Sequence, residues 1–242
     1  MISWPCNVHY RYLSTNLGCK QAVSSAITWF FDHVDAGIII EDDVVCDHSF
    51  FHYSSQLLYK YRGDHRIGAI GANCFNSELT RHPQSSYSFS CHPHVWGWAT
   101  WAYVWKQYDV SLKSFNPFSF ALVHLLRYGL RSALFWTHTL IKVKRGKINT
   151  WDYQLSYLFY TKGLISIVPS VELATNTGFT SDASHTTSGQ SPLSVSSCLQ
   201  FPLIHPRSIR TSRRRDKMTL ITNYLPTSEY IVHRLLSIAN IP

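Results

Sequence analysis

Charge is scarce in this sequence, and cysteine is scattered. Asp, Glu, Lys and Arg make up only 15% of the 242 residues, against 45% hydrophobic and 14% aromatic. That balance excludes a disordered, solvating chain and calls for a packed core. The six cysteines, Cys6, Cys19, Cys46, Cys74, Cys91 and Cys198, form no CxxC pair. A zinc ribbon and a thioredoxin-type site are therefore excluded, the density is not that of a disulfide scaffold, and free thiols are expected. Met1 to Pro5 has neither a basic start nor an apolar run, so no signal peptide is expected. Long uninterrupted apolar runs are missing too. The greasiest stretch, Phe118 to Val143, is broken by His124, Arg127, Arg131, His138 and Lys142, which a bilayer core would penalise. Packing onto the domain is the expected fate of that stretch, with contact to a membrane surface as the alternative. The expected location is the cytoplasm, with peripheral contact at the inner membrane allowed for.

The formal net charge of +8 suggests a nucleic-acid binder until its distribution is read. From Thr186 onward seven Lys/Arg stand against Asp216 and Glu229, a net of +5, which leaves only +3 for the preceding 185 residues. The basicity avoids the body of the chain, so no nucleic-acid partner is expected. Residues 1–185 are expected to form one domain. Residues 186–242 are expected to be a Ser/Pro-rich, basic and partly disordered arm that ends in a short helix, Ser228 to Ala239.

Apolar residues at Ala22, Val23, Ala26, Ile27, Phe30 and Phe31 recur as one face of a helix between Lys20 and Val34. Gly37 ends that pattern, and Ile38 to Ile40 reads as a short buried strand running into Glu41, Asp42 and Asp43. Asp47 is placed to cap a second amphipathic helix carrying Phe50, Phe51, Leu57 and Leu58, after which Ile67 to Ile70 gives a second strand. Helix and strand in alternation imply an α/β fold with a mainly parallel sheet and helices on both faces. Ligands of such sheets sit at the carboxyl ends of strands, where the three acids stand. Further on, the pattern predicts a strand at Tyr87 to Cys91, a helical insertion over Pro117 to Arg145, a helix from Thr150 to Tyr160, and short strands at Leu164 to Val168 and Val171 to Ala174.

Three adjacent carboxylates at the end of an apolar strand need a cation, because an unpaired buried charge costs several kcal/mol. Mn²⁺ or Mg²⁺, holding a few carboxylate oxygens and completing its shell with water and phosphate, meets that need; an acidic junction solvated by water is the alternative. Asp152, flanked by Trp151 and Tyr153 at a helix start, is either a residue favourable to the helix dipole or a partly desolvated general base. The loop from Asn176 to His185 is rich in Gly and small polar residues, and His185 is a candidate phosphate partner. His92 and His94 are read as structural for want of a companion acid or Cys. Trp98, Trp101 and Trp105 match one helical face and read as core, although Trp96 or Trp98 could stack on a sugar ring.

Taken in order, Arg11 to Gly18, Trp29-Phe30-Phe31, Gly37 to Asp43, Phe50-Phe51, Trp96 to Trp101, Trp151 to Gln154 and Asn176 to Thr186 resemble the bacterial nucleotide-diphospho-sugar transferases described as hemolytic-protein-like glycosyltransferases. The layout is more distantly similar to the N-acetylglucosaminyltransferase I family. The resemblance implies a GT-A fold and transfer of a sugar, with inversion, from a nucleotide-diphosphate donor to a glycan or other hydroxyl acceptor. It implies metal binding at Asp43 and donor contacts from Arg11, Glu41, Asp42 and His185, with Asp152 as catalytic base. The family's usual first strand, which lines the nucleotide pocket, has no counterpart before Trp4. A catalytically weak sugar- or nucleotide-binding remnant is thus the alternative expectation.

Overall fold

The computed structural model describes residues 4–74, 84–178 and 198–224. Residues 4–17 carry no regular element, and the chain then folds as α1 (Gly18–Phe31), β1 (Ala36–Ile39), β2 (Val44–Cys46), α2 (His48–Tyr61) and β3 (Ile67–Gly71). It continues through β4 (Tyr87–Ser90), β5 (Trp98–Trp101), α3 (Ala102–Trp105), α4 (Pro117–Tyr128), α5 (Leu130–Lys144), α6 (Asp152–Lys162), β6 (Ile165–Pro169), β7 (Ala174–Asn176) and α7 (Arg213–Thr219). The fold is α/β. Its helices begin where local chemistry lets them. Asp47 accepts from the Ser49 amide at 2.8 Å to cap α2, and Asn116 accepts from the Phe118 and Ser119 amides to cap α4, with Pro117 at its first position. Helix α1 has no side-chain cap of its own; its Lys20 amide donates to Asn149 Oδ1 from a distant loop.

The main sheet has the order β1-β5-β3-β6-β4. Only β3 and β6 pair in parallel, and the other three pairings are antiparallel, which corrects the expectation of a mainly parallel sheet. Strands β1, β3 and β6 do run the same way, as crossovers through helices require. The expectation failed because β5 is inserted antiparallel between β1 and β3. That strand was read as part of a helical face. Trp98 to Trp101 is in fact extended and buried along its whole length, and only Ala102 to Trp105 is helical.

The register places Ile38, Ala99, Ile70, Ile167 and Phe89 side by side on one face of the sheet. Tyr87, on that same face, meets Tyr53 and Tyr61 of α2 edge-on. Gly37 lies on the opposite face, where a Cβ would strike the Phe30 ring of α1. Helices therefore cover both faces, around a core that includes Phe50, Leu57, Ile67, Ile70, Trp98 and Leu155. Helices α4, α5 and α6 enclose a second apolar cluster around Phe120, Trp136, Leu140 and Tyr160. The predicted insertion is two helices, parted at Gly129, whose φ of 87° ends α4 and starts α5.

Strand β7 does not join the main sheet; it pairs with β2, Val44 opposite Asn176. Residues 198–224, expected within a partly disordered arm, pack on the body. Leu199 and Leu203 enter the main core, Leu220 enters the second cluster, and Thr211 bridges to Phe89. The expected helix at Ser228 to Ala239 and the site residue His185 lie outside the described residues.

Candidate functional site

Strand β1 ends at Ile39, and the chain leaves the sheet carrying Glu41, Asp42 and Asp43 at its carboxyl end. The short β2–β7 pair fixes this exit. The Thr177 amide and hydroxyl both donate to the Asp43 carbonyl, at 2.7 and 3.0 Å, so the strand after Asn176 lies against Asp43. Gly178 comes so close that a Cβ there would collide with Asp43 Oδ2. The first residues of the loop singled out in the sequence thus touch the acids.

Asp152 stands at the start of α6. Its neighbour Trp151 is buried and donates from Nε1 to Glu41 Oε1 at 3.0 Å, joining α6 to the acid segment across 110 residues. Trp151 is itself held. It stacks on Trp98 with centroids 5.8 Å apart, and its carbonyl accepts from the Tyr108 hydroxyl, whose ring stacks on Trp105 at 4.2 Å. Thr150 Oγ1 donates to Asp152 Oδ1 and orients that carboxylate.

The electrostatics show that these acids form one cluster. Burial, and then the charges of Asp43, Asp152 and Asp42, push the Glu41 carboxyl up to about 7, with the Trp151 hydrogen bond pulling the other way. Burial, then Glu41 and Asp152, also raise the Cys19 thiol, which places the start of α1 beside the same cluster. Among the described residues no cationic side chain pairs with Glu41, Asp42 or Asp43. Among the described residues the one ion pair is Arg66 with Asp64, elsewhere on the surface. Asp43 Oδ1 is buried with no hydrogen-bond partner. Such an oxygen costs about 1–3 kcal/mol, and more when charged, unless something arrives to bind it.

The other site residues divide. Asp42 is exposed beside the cluster, and Trp96 is half-buried. Trp98 is only 1% exposed, so it cannot stack on a sugar; it is the wall behind Trp151, a correction forced by its place in β5. Arg11 donates to Ser25 on α1 at 3.1 Å. Cys19 and the Trp151 link to Glu41 were missed as site features, because nothing local in sequence marks contacts between separate elements.

A second cluster lies at Cys91, His92 and Asp216, whose ligand-type atoms all fall within 4.8 Å of one another. His92 therefore does have an acid and a Cys beside it, contrary to expectation, yet its structural role stands. Both ring nitrogens are engaged, Nδ1 with the Tyr160 hydroxyl at 2.8 Å and Nε2 with the Asp216 carbonyl at 3.0 Å. Asp216 accepts from Ser90 Oγ at 2.8 Å, and burial holds the Cys91 thiol protonated. With both His92 nitrogens engaged and the thiol neutral, the group fastens α7 to the sheet and is poorly suited to a metal.

Comparison of the chain with protein-family models and with curated proteins finds no match.

Proposed function

We propose that the chain is a metal-dependent glycosyltransferase of the GT-A type that moves a sugar from a nucleotide-diphosphate donor to an acceptor hydroxyl, with inversion. One observation carries the reading: carboxylates from two distant segments converge, no cationic side chain among the described residues pairs with Glu41, Asp42 or Asp43, and Asp43 keeps a buried oxygen without a hydrogen-bond partner among them. That donor set fits a hard divalent cation. Oxygen-only ligands with room for water and phosphate suit Mn²⁺ or Mg²⁺ better than Zn²⁺. Asp43 would hold the ion, with Glu41 beside it, and the bound ion would supply positive charge to the donor's pyrophosphate.

The protein's own residues do the rest. Trp98 and Trp151 exclude water from behind Glu41 and fix its carboxyl group. Asp152, at a helix N-terminus and oriented by Thr150, would accept the proton of an acceptor hydroxyl, a role worth about 10²–10⁴ in rate. Asp42, exposed at the rim, and half-buried Trp96 remain for the donor's sugar or ribose. The ordered motifs that resemble nucleotide-sugar transferases support the same assignment. A second reading, a binding remnant with little turnover, draws on Arg11, whose guanidinium donates to Ser25 of α1.

One assay separates these readings: hydrolysis and transfer of UDP-, GDP- and CDP-sugars with and without Mn²⁺, repeated for Asp43→Ala and Asp152→Asn. The enzyme reading expects Asp43→Ala to lose metal-dependent donor binding and Asp152→Asn to lose turnover while keeping binding. A wild type that binds donor but never turns it over favours the remnant. Metal-independent activity, or full activity in Asp152→Asn, contradicts the proposal.

A further inference from the structure

Helices α4 and α5 form a hairpin that is buried along one side and bare along the other. Phe120, His124, Trp136 and Leu140 point into the second apolar cluster and satisfy the hairpin's contacts with the body. Phe118, Leu122, Leu125 and Leu126 fall at helical spacing on the opposite side of α4, and Leu130 and Leu134 are exposed one turn apart at the start of α5, just past the Gly129 turn. Phe118 is 82% exposed, Leu126 79%, and Leu130 and Leu134 63% each. Single exposed leucines are ordinary, but six large apolar side chains bare on two consecutive helices of one hairpin mark a surface with a partner.

Charge identifies that partner. Between Asp109 and Asp152 the chain has no Asp or Glu and seven Lys or Arg, and Arg127 and Arg131 are exposed on either side of the Gly129 turn, among the bare leucines. A second copy docking here would set like positive charge against like, since the segment between Asp109 and Asp152 brings no acid of its own. An anionic lipid surface accepts both features, apolar side chains at the acyl boundary and guanidinium groups among the headgroups. No helix among the described residues is long and apolar enough to cross a membrane, so the hairpin lies on the surface. We propose that the α4–α5 hairpin docks the protein on an anionic lipid surface, with Phe118, Leu122, Leu126 and Leu130 as anchors and Arg127 and Arg131 as headgroup contacts. This inference is independent of the acid cluster.

The test is co-sedimentation of the full chain with phosphatidylcholine vesicles, with and without phosphatidylglycerol. The protein is expected to pellet with the anionic vesicles, to stay in solution with the neutral ones, and to be released in part by salt. Leu126→Glu with Leu130→Glu, and separately Arg127→Glu with Arg131→Glu, should each lower partitioning by about tenfold or more, while Lys60→Glu with Arg62→Glu, the same charge change on α2 and just beyond it, should change it by less than about twofold. Leu126→Ser with Leu130→Ser gives an uncharged check, and circular dichroism confirms that each variant is folded. Binding that ignores phosphatidylglycerol, equal losses in the α2 control, or hairpin variants that dissolve a dimer which never binds vesicles would each overturn the proposal.

Discussion

Glu41→Gln is the substitution whose effect the structure sets most sharply. In metal-free protein, burial and three neighbouring carboxylates move Glu41 from 4.5 to about 7. Because the folded state holds this proton more tightly than the unfolded chain, stability falls as pH rises. The penalty is absent below about pH 4.5, grows between 4.5 and 7, and is complete above 7. At 1.36 kcal/mol per pH unit it reaches about 3 kcal/mol. Glutamine keeps the oxygen that accepts from Trp151 and removes the charge. Glu41→Gln in EDTA should therefore be about 3 kcal/mol more stable than wild type at pH 8, about 6–12 °C in Tm for a chain of this size, with little difference at pH 4.5. Thermal unfolding followed by circular dichroism across that range is the assay. A variant whose advantage does not change with pH would refute the reasoning, because Glu41 would then not be ionising against its neighbours.

Three other outcomes are expected. Gly178→Ala should push the Asp43 carboxylate aside and weaken Mn²⁺ affinity about tenfold with little loss of Tm, measured by calorimetry and thermal melts. Trp151→Phe removes the donor that lowers the Glu41 pKa, so the Glu41 carboxyl should titrate at higher pH in a carbon-detected NMR titration, and a shift downward would contradict the account. Asp216→Ala leaves Ser90 Oγ without its buried partner and should cost about 1–3 kcal/mol of stability, while Zn²⁺ added to wild type should not raise Tm; zinc stabilisation would make the Cys91 cluster a metal site after all.

The parts of the fold legible in sequence are those with a local cause. The α1 periodicity and the Asp47 cap appear where they were read, and a strand does lead into the three acids, but it runs over Ala36–Ile39 as a half-buried edge strand, with Ile40 exposed beyond it, and not as the buried strand read at Ile38 to Ile40. The sheet order was not legible. Strand β5 is buried on both faces, which erases the alternation that marks a strand, and its tryptophans at 98, 101 and 105 imitate a helical stripe. The insertion's two-sided character was hidden for a related reason: composition shows that it is apolar, but not which leucines find a core. At the site, the triplet and Asp152 could be named because charge beside apolar sequence needs explaining. The Trp151 bridge to Glu41 and the closure of Thr177 on Asp43 arise only when segments more than a hundred residues apart meet.

Calorimetric titration of Mn²⁺ into wild type and Asp43→Ala at neutral pH tests the central claim most directly. One ion should bind per wild-type chain, with affinity reduced at least about tenfold by the substitution. Equal affinity in the two proteins, or no binding to wild type, would contradict a cation site at the end of β1.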